Sequence, residues 1–234
     1  MIRLDKYLAD MGVGTRSEVK KAIRSGRVTV DGQTAKKPEQ KIDTQAQTVA
    51  YDGSPIRYQE KEYYMLHKPA GVVSATRDDK EKTVLDLLDG QKRKDLFPVG
   101  RLDKDTEGLL LITNDGDLSH RLLSPAKHVD KTYYAQVEGI VTEEDAAAFA
   151  AGVDIGDETL TLPAHLTVLH SDNISEIRLT IQEGRFHQVK RMFEARGKKV
   201  VYLKRLSMGS LLLDETLEKG AYRPLTKEEL AALC

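Results

Sequence analysis

The sequence predicts an α+β protein in two parts: a small one over residues 1–58 and a larger one over 59–234, the latter a mostly antiparallel mixed sheet flanked by helices. Three observations predict it. At the N-terminus, apolar residues recur at helical spacing and are punctuated by glycines and a capping box. Further along, short alternating or β-branched runs predominate, separated by turn signals and a few helical stretches. Between them, Gln59-Glu60-Lys61-Glu62 is a charged run with no apolar period, which puts a linker near residues 57–62. A chain of 234 residues is also too long for one minimal domain and suits a large domain plus a small one.

In the first part, Ile2, Leu4, Tyr7, Leu8 and Met11 follow helical spacing, and Gly12 and Gly14 end that helix. Thr15-Arg16-Ser17-Glu18 is a capping box opening a second helix, whose apolar stripe is Val19, Ala22 and Ile23. Arg16, Lys20 and Arg24 recur every four residues and share one outward face. Gly26 stops the helix. Val28-Thr29-Val30 reads as a strand running into an Asp31-Gly32 turn, and residues 48–51 as another strand.

In the second part, residues 63–66 begin a strand that runs into His67-Lys68-Pro69-Ala70-Gly71, and 83–88 read as a short helix capped by Thr83. Phe97-Pro98-Val99 leads into a polar bend, Gly100-Arg101-Leu102-Asp103. Residues 109–113 follow as a buried strand, closed by the turn Asn114-Asp115-Gly116-Asp117. A helix over 118–123 ends at Ser124-Pro125. Residues 131–137 are a strand, 142–151 a helix capped by Thr142 and ended by Gly152, and 166–169 and 174–181 strands. Glu183 opens a run read as a helix, with Val189, Met192 and Phe193 inside and His187, Lys190, Arg191 and Glu194 outside. Strands at 200–206 and near 211–213 precede a last helix, introduced by the capping box Thr226-Lys227-Glu228-Glu229.

Hydrophobic residues make up 40% and charged residues 31%, the balance of a soluble globular protein. No apolar run is long enough to cross a bilayer, and MIRLDKYLADMG lacks the apolar core of a signal peptide. The single cysteine, Cys234, offers no internal disulfide and fits a reducing cytoplasm. Six scattered histidines and one cysteine give no zinc-ligand spacing, and no Walker loop or dinucleotide fingerprint is present. Net charge is −1, but residues 16–37 carry seven basic against two acidic side chains, and 185–205 eight against one. The rest is therefore strongly acidic, and the two basic stretches suggest localised contact with a polyanion.

The chain is organised around residues 97–117, FPVGRLDKDTEGLLLITNDGD. A charged bend between two apolar strands can project one side chain into a cleft, and Asp103 is that side chain. A solvated loop carrying Asp103, Asp105 and Glu107 would give the same pattern. The segment closely resembles the active-site segment of the RsuA family of RNA pseudouridine synthases, whose pattern is GRLD, then SEG or TEG, then LLLLTNDG; Ile112 is a mild departure. EGRFHQVKRM at 183–192 resembles the family's last catalytic motif, EGRxHQV(R/K)RM. Lys131-Thr132-Tyr133 resembles its KTY motif. His67-Lys68-Pro69-Ala70-Gly71 resembles its NKPxG step, with His67 where Asn is usual and a structural role before the turn expected for it. SGRVTVDG at 25–32, after two helices with a basic ridge, resembles the S4 RNA-binding module of α-L type. The resemblance covers nearly the whole chain.

It implies that Asp103 is the catalytic carboxylate, that Lys190 pairs with it, and that Tyr133 packs on the target base. Arg101 would enter the vacated base stack or hold the adjacent phosphate; otherwise it would pair with Asp105 or Glu107. Arg16, Lys20, Lys21, Arg24 and Arg27, and near the cleft Arg185, His187, Gln188 and Arg191, are the expected RNA contacts. Pseudouridylation breaks the bond from ribose C1′ to uracil N1, turns the base and rejoins it through C5. No atom is gained or lost, so no cofactor and no metal are implied. Burial raises a carboxylate's pKa and a nearby ammonium lowers it again, which is why a cation belongs beside Asp103. The implied partner is ribosomal RNA, bound by a monomer away from any membrane. Lys190 in HQVKRM and the sequence after it resemble the 16S, uridine-516 type, acting on 16S RNA or a small-subunit assembly intermediate. The competing readings are a 23S enzyme of the same family, an inert S4 protein of RNA binding or ribosome assembly, and a glycosidase or nucleosidase, which would want a second acid across the cleft.

Overall fold

A computed structural model describes residues 1–89, 93 and 95–233. Contacts divide it into two compact units, residues 1–62 with 88–96, and residues 63–87 with 97 onward.

In the first unit the helices Leu4–Asp10 and Arg16–Arg24 pack Leu4, Tyr7, Leu8, Val19 and Ile23 against Val28, Val30, Ile42 and Val49. The capping box closes as expected: Thr15 N–H donates to Glu18 Oε2 at 2.7 Å and Glu18 N–H to Thr15 Oγ1 at 3.3 Å. Asp31 and Gly32 both take positive φ, 50° and 78°, the turn that matches the twist of the flanking strands Val28–Val30 and Gln33–Thr34. Val49–Tyr51 and Ser54–Ile56 complete this four-stranded sheet. Ile2, read as the first residue of the helix, instead pairs as a strand with Ile42, so the helix begins at Leu4.

The second unit is built on one mixed sheet. Its main path runs His165–His170, Ile174–Ile181, Lys131–Glu138, Lys199–Met208, Glu107–Thr113, Tyr63–Lys68 and Tyr222–Pro224. Neighbours are antiparallel except Lys199–Met208 and Glu107–Thr113, which run parallel with Lys204 opposite Glu107 and Arg205 opposite Gly108. That junction demands glycine. Gly108 has φ +103°, and a Cβ there would stand 2.2 Å from the Arg205 carbonyl oxygen. All seven residues of Glu107–Thr113 are buried, as its continuous apolar run implies for a strand covered on both faces. In Lys131–Glu138 burial alternates, with Lys131, Tyr133, Ala135 and Val137 inside.

Helix Gly116–Leu123, capped by Asp115, lays Leu118 and Leu122 on Met65, Leu109 and Leu111, where Leu233 of Lys227–Leu233 joins them. Phe149 of Glu143–Ala151 and Phe193 of Gln188–Glu194 meet edge to face, ring centres 5.0 Å apart. The stretch 83–88 is only a 3₁₀ turn, Leu85–Leu87, anchored by Thr83 N–H on Asp86 Oδ2 at 2.7 Å. The helix expected from Glu183 starts at Gln188, because His187 before it sits in the left-handed region with φ 49°.

Candidate active site

The bend at residues 100–106 is held from beneath by the 68–74 segment. Lys68 is fully buried, and its ammonium reaches the carbonyls of Pro69, Asp103, Lys104 and Thr106 at 3.1, 3.0, 3.3 and 2.8 Å. Gly71 N–H donates to the Lys104 carbonyl at 2.7 Å, and the Ser74 hydroxyl donates to the Leu102 carbonyl at 2.8 Å. Burial pushes the Lys68 ammonium down to about 8, against the pull of Asp105 and Asp103. The backbone beneath Asp103 is thus fixed while its side chain faces a cavity. His67 plays the structural part expected of it: buried, with Nδ1 2.7 Å from the Leu217 carbonyl.

Across that cavity stand side chains from distant parts of the chain. Tyr133, 7% exposed, comes from the Lys131–Glu138 strand, Lys190 from the helix Gln188–Glu194, and Ile181 and Leu203 from the two strands beside Tyr133. Lys190 Nζ lies 3.3 Å from Asp103 Oδ2, so the expected pair is present, but the ammonium sits closer to Asp105, at 2.7 and 2.9 Å from its two oxygens. Lys190 is therefore shared between two carboxylates. Burial pushes its pKa down, but the hydrogen bond to Asp105 and the charges of Asp103 and Asp105 carry it above the ordinary lysine value. Burial likewise pushes the Asp105 carboxyl up, and Lys190 overrides it and holds it low. His187 Nε2 stands 3.6 Å from Asp103 Oδ1, and its ring stacks on Phe186 with centres 3.8 Å apart.

Glu107 is no solvated loop residue: it is buried and accepts from Tyr202 Oη at 2.6 Å and Lys219 Nζ at 2.7 Å. With Asp105 on Lys190 and Glu107 on Lys219, the loop ion pair considered for Arg101 does not form. Arg101 is exposed at the rim with no ion-pair partner among the described residues.

A crystal structure of a pseudouridylate synthase matches 100% of this chain and 100% of its own at 40% identity, with a TM-score of 0.70. The family model described as RNA pseudouridylate synthase matches residues 62–195, and the S4 domain model residues 2–47. The chain is an RNA pseudouridine synthase. The uncharacterized RNA pseudouridine synthase YtzG of Bacillus subtilis is 49% identical over 99% of this chain and 98% of its own. Ribosomal small subunit pseudouridine synthase A is 46% identical in Salmonella typhimurium and 45% in Escherichia coli, each over 99% of this chain and 100% of the relative.

Several residues expected to face RNA are engaged inside the synthase. The Arg185 guanidinium donates to Glu183 at 2.9 Å and to the Thr159 and Leu160 carbonyls at 2.7 Å each. Arg191 holds Asp157 and the Ile155 carbonyl. Gln188, buried, accepts from Arg185 N–H at 2.9 Å and donates to Glu183 at 2.8 Å. These three shape the loop that presents Phe186 and His187; their donors are not free for a ligand. On the first unit, Arg27 is paired with Asp52 and lies over the Tyr51 ring at 4.7 Å. Arg16, Lys21 and Arg24 are exposed and Lys20 half-buried, and none forms an ion pair among the described residues.

The linear reading missed Lys68, although it stands in the NKPxG-like step, and it missed Thr106, whose buried hydroxyl lines the cavity without a hydrogen-bond partner among the described residues. It counted Arg205 only within the basic stretch 185–205 and Lys131 only within the KTY-like motif, and did not bring them together as two cations beside Tyr133 in the wider cavity. Arg205 is 2% exposed, and among the described residues only its Nε is seen to donate, to the Leu109 carbonyl at 2.8 Å. Lys131 is 7% exposed and reaches the Val129 carbonyl at 2.9 Å.

Proposed function

We propose that the chain converts one uridine of small-subunit ribosomal RNA, in 16S RNA or an assembly intermediate, to pseudouridine in the cytoplasm, with Asp103 as the reacting carboxylate. The observation that carries this reading is the meeting of Asp103, Tyr133 and Lys190 in one cavity, although they come from a loop, a strand and a helix far apart in sequence. The small-subunit names of the Salmonella and Escherichia relatives support the choice of RNA.

A uridine in folded RNA must first be flipped out, at a cost of a few kcal/mol. Arg101 at the rim is placed to fill the gap or hold a neighbouring phosphate, and Phe186, 67% exposed, offers a face on which a flanking base stacks. Inside, Tyr133, Ile181 and Leu203 line the cavity and offer apolar surface to the detached uracil. Asp103 is the charge that answers the positive character developing at C1′ as the bond to N1 breaks. Lys190 offsets that charge in a partly buried place. After the base turns, C5 bonds to C1′, the hydrogen on C5 leaves, and N1 takes one up.

Asp103→Asn keeps the shape and removes the charge, so folding and RNA affinity are expected to stay near the parent while pseudouridine formation is lost. Turnover within a hundredfold of the parent refutes the role of Asp103. A chemical map of ribosomal pseudouridines with and without the gene tests the target: loss of a 23S site with every 16S site kept overturns the choice of RNA and leaves the reaction standing.

A further inference from the structure

Arg205 and Lys131 pose an electrostatic problem that the reaction described above leaves unanswered. Both are more than nine-tenths buried, and neither forms an ion pair among the described residues. Arg205 has one donor seen engaged among the described residues, Nε, and its Nη2 has no hydrogen-bond partner among them. A buried guanidinium without a counter-charge is costly, and a second cation beside it adds repulsion. The repulsion is felt: burial first and then the charge of Arg205 hold the Lys131 ammonium below its ordinary range, against the weaker pull of Asp130.

Their placement says what would relieve it. Lys131 and Tyr133 are two apart on one strand and face the same way, and Arg205 stands opposite Tyr133 on the next strand. Both cations line a cavity of about 350 Å³ that also takes in Tyr133, Asp103 and Arg101. A group bound there therefore lies beside the target base and near Asp103. Asp103 cannot serve as the counter-charge, because Lys190 already holds it. The anion that a uridine in RNA brings with it is its backbone phosphate.

We propose that Arg205 and Lys131 form a phosphate site for the RNA backbone immediately next to the flipped uridine, so that this enzyme grips its target by the charge of one phosphodiester as well as by the base. The proposal rests on the RNA uridine reading above. A charge-assisted hydrogen bond to that phosphate would resist release of the nucleotide while the base is detached and turning.

The test removes the charge from the RNA rather than from the protein. A folded small-subunit RNA fragment holding the target uridine is made with a single methylphosphonate at the phosphate either 5′ or 3′ to it. The parent enzyme is expected to lose on the order of tenfold to a hundredfold in kcat/KM at one of the two positions. Lys131→Met is expected to lose a similar factor on the all-phosphate RNA and almost nothing further on the sensitive methylphosphonate RNA. Arg205→Lys, which keeps a cation in place, is expected to fall between parent and Lys131→Met. Equal parental rates on both methylphosphonate RNAs, or penalties that multiply between Lys131→Met and the methylphosphonate, overturn the proposal. If Lys131→Met does not fold, the parental rates on the two modified RNAs decide alone. Pseudouridine formation by the parent in all-phosphate RNA reads the underlying reaction separately.

Discussion

Replacing Lys68 by Met tests how the loop under Asp103 is held. The ammonium is fully buried, and its pKa falls from the ordinary 10.5 to about 8. At neutral pH that displacement is worth about 3 kcal/mol, 2.5 units at 1.36 kcal/mol each, charged against the folded state. The sign of the pH dependence follows. Below pH 8 the group is protonated in both states and the whole burial cost stands. Between pH 8 and 10.5 the unfolded chain binds the extra proton, so this contribution to stability rises with pH, and above 10.5 it is level. From pH 7.5 to pH 10 the parent should gain ~2 kcal/mol from this group. Met removes the burial cost but forfeits the ammonium's hydrogen bonds, each a loss of ~1 kcal/mol or more. The Lys104 and Asp103 carbonyls keep Gly71 N–H and Thr106 N–H as donors while those of Pro69 and Thr106 lose the ammonium, so the net change at pH 7.5 is small beside either effect. The loop, however, loses its anchor, and a shift of ~1 Å at a reacting group costs about a hundredfold in rate. Urea unfolding followed by circular dichroism at the two pH values, with single-turnover pseudouridine formation alongside, makes the measurement. If parent and Lys68→Met show parallel stability against pH, the ammonium does not carry the burial cost argued here; if their rates agree within threefold, it does not position the loop.

Lys190→Met is expected to slow the reaction about a hundredfold or more and to let the Asp105 carboxyl titrate higher, since burial then acts unopposed. Carbon-13 NMR of that carboxyl reads the second effect, and an unmoved titration would show that the ammonium points elsewhere; Lys190→Arg should be far milder. Replacing Arg16, Lys20, Lys21 and Arg24 together by Gln should lower the log–log salt slope of RNA binding by roughly 3, if each meets one phosphate. An identical slope would remove the ridge from the interface. Gly108→Ala places a methyl carbon 2.2 Å from the Arg205 carbonyl oxygen, and backbone cannot give way as a side chain can, so a loss of at least ~3 kcal/mol is expected in the urea midpoint. A midpoint near the parent's would mean that the two strands do not approach as described.

What the linear sequence revealed follows the range of the forces involved. The capping boxes at Thr15–Glu18 and Thr226–Glu229 were legible because both partners lie within four residues, and both close in the structure. The Asp31-Gly32 turn was legible because two positive φ angles in succession suit few other pairs. The meeting of Asp103 with Lys190 and Tyr133 was legible only through motif resemblance, since no local pattern brings residues 103 and 190 together. The engagement of Arg185 and Arg191 escaped notice because their partners lie around residues 155–160, some thirty residues upstream. A lysine reads as a surface residue in any window, so the inward turn of Lys68 was hidden too.

The parallel pairing of Glu107–Thr113 with Lys199–Met208 also sets an order of events in time. The strand that follows Asp103 waits for a neighbour almost a hundred residues further along the chain, Lys204 opposite Glu107. At synthesis rates of about 5–20 residues per second, Asp103 leaves the peptidyl transferase centre roughly 5–20 s before Arg205 is added. Until the Lys199–Met208 strand is made, Tyr133 lacks at least one of its two neighbouring strands, and the cleft lacks Leu203 and Arg205. A truncation between the Asp103 loop and residue 205 therefore yields a protein that carries the GRLD segment and no closed site.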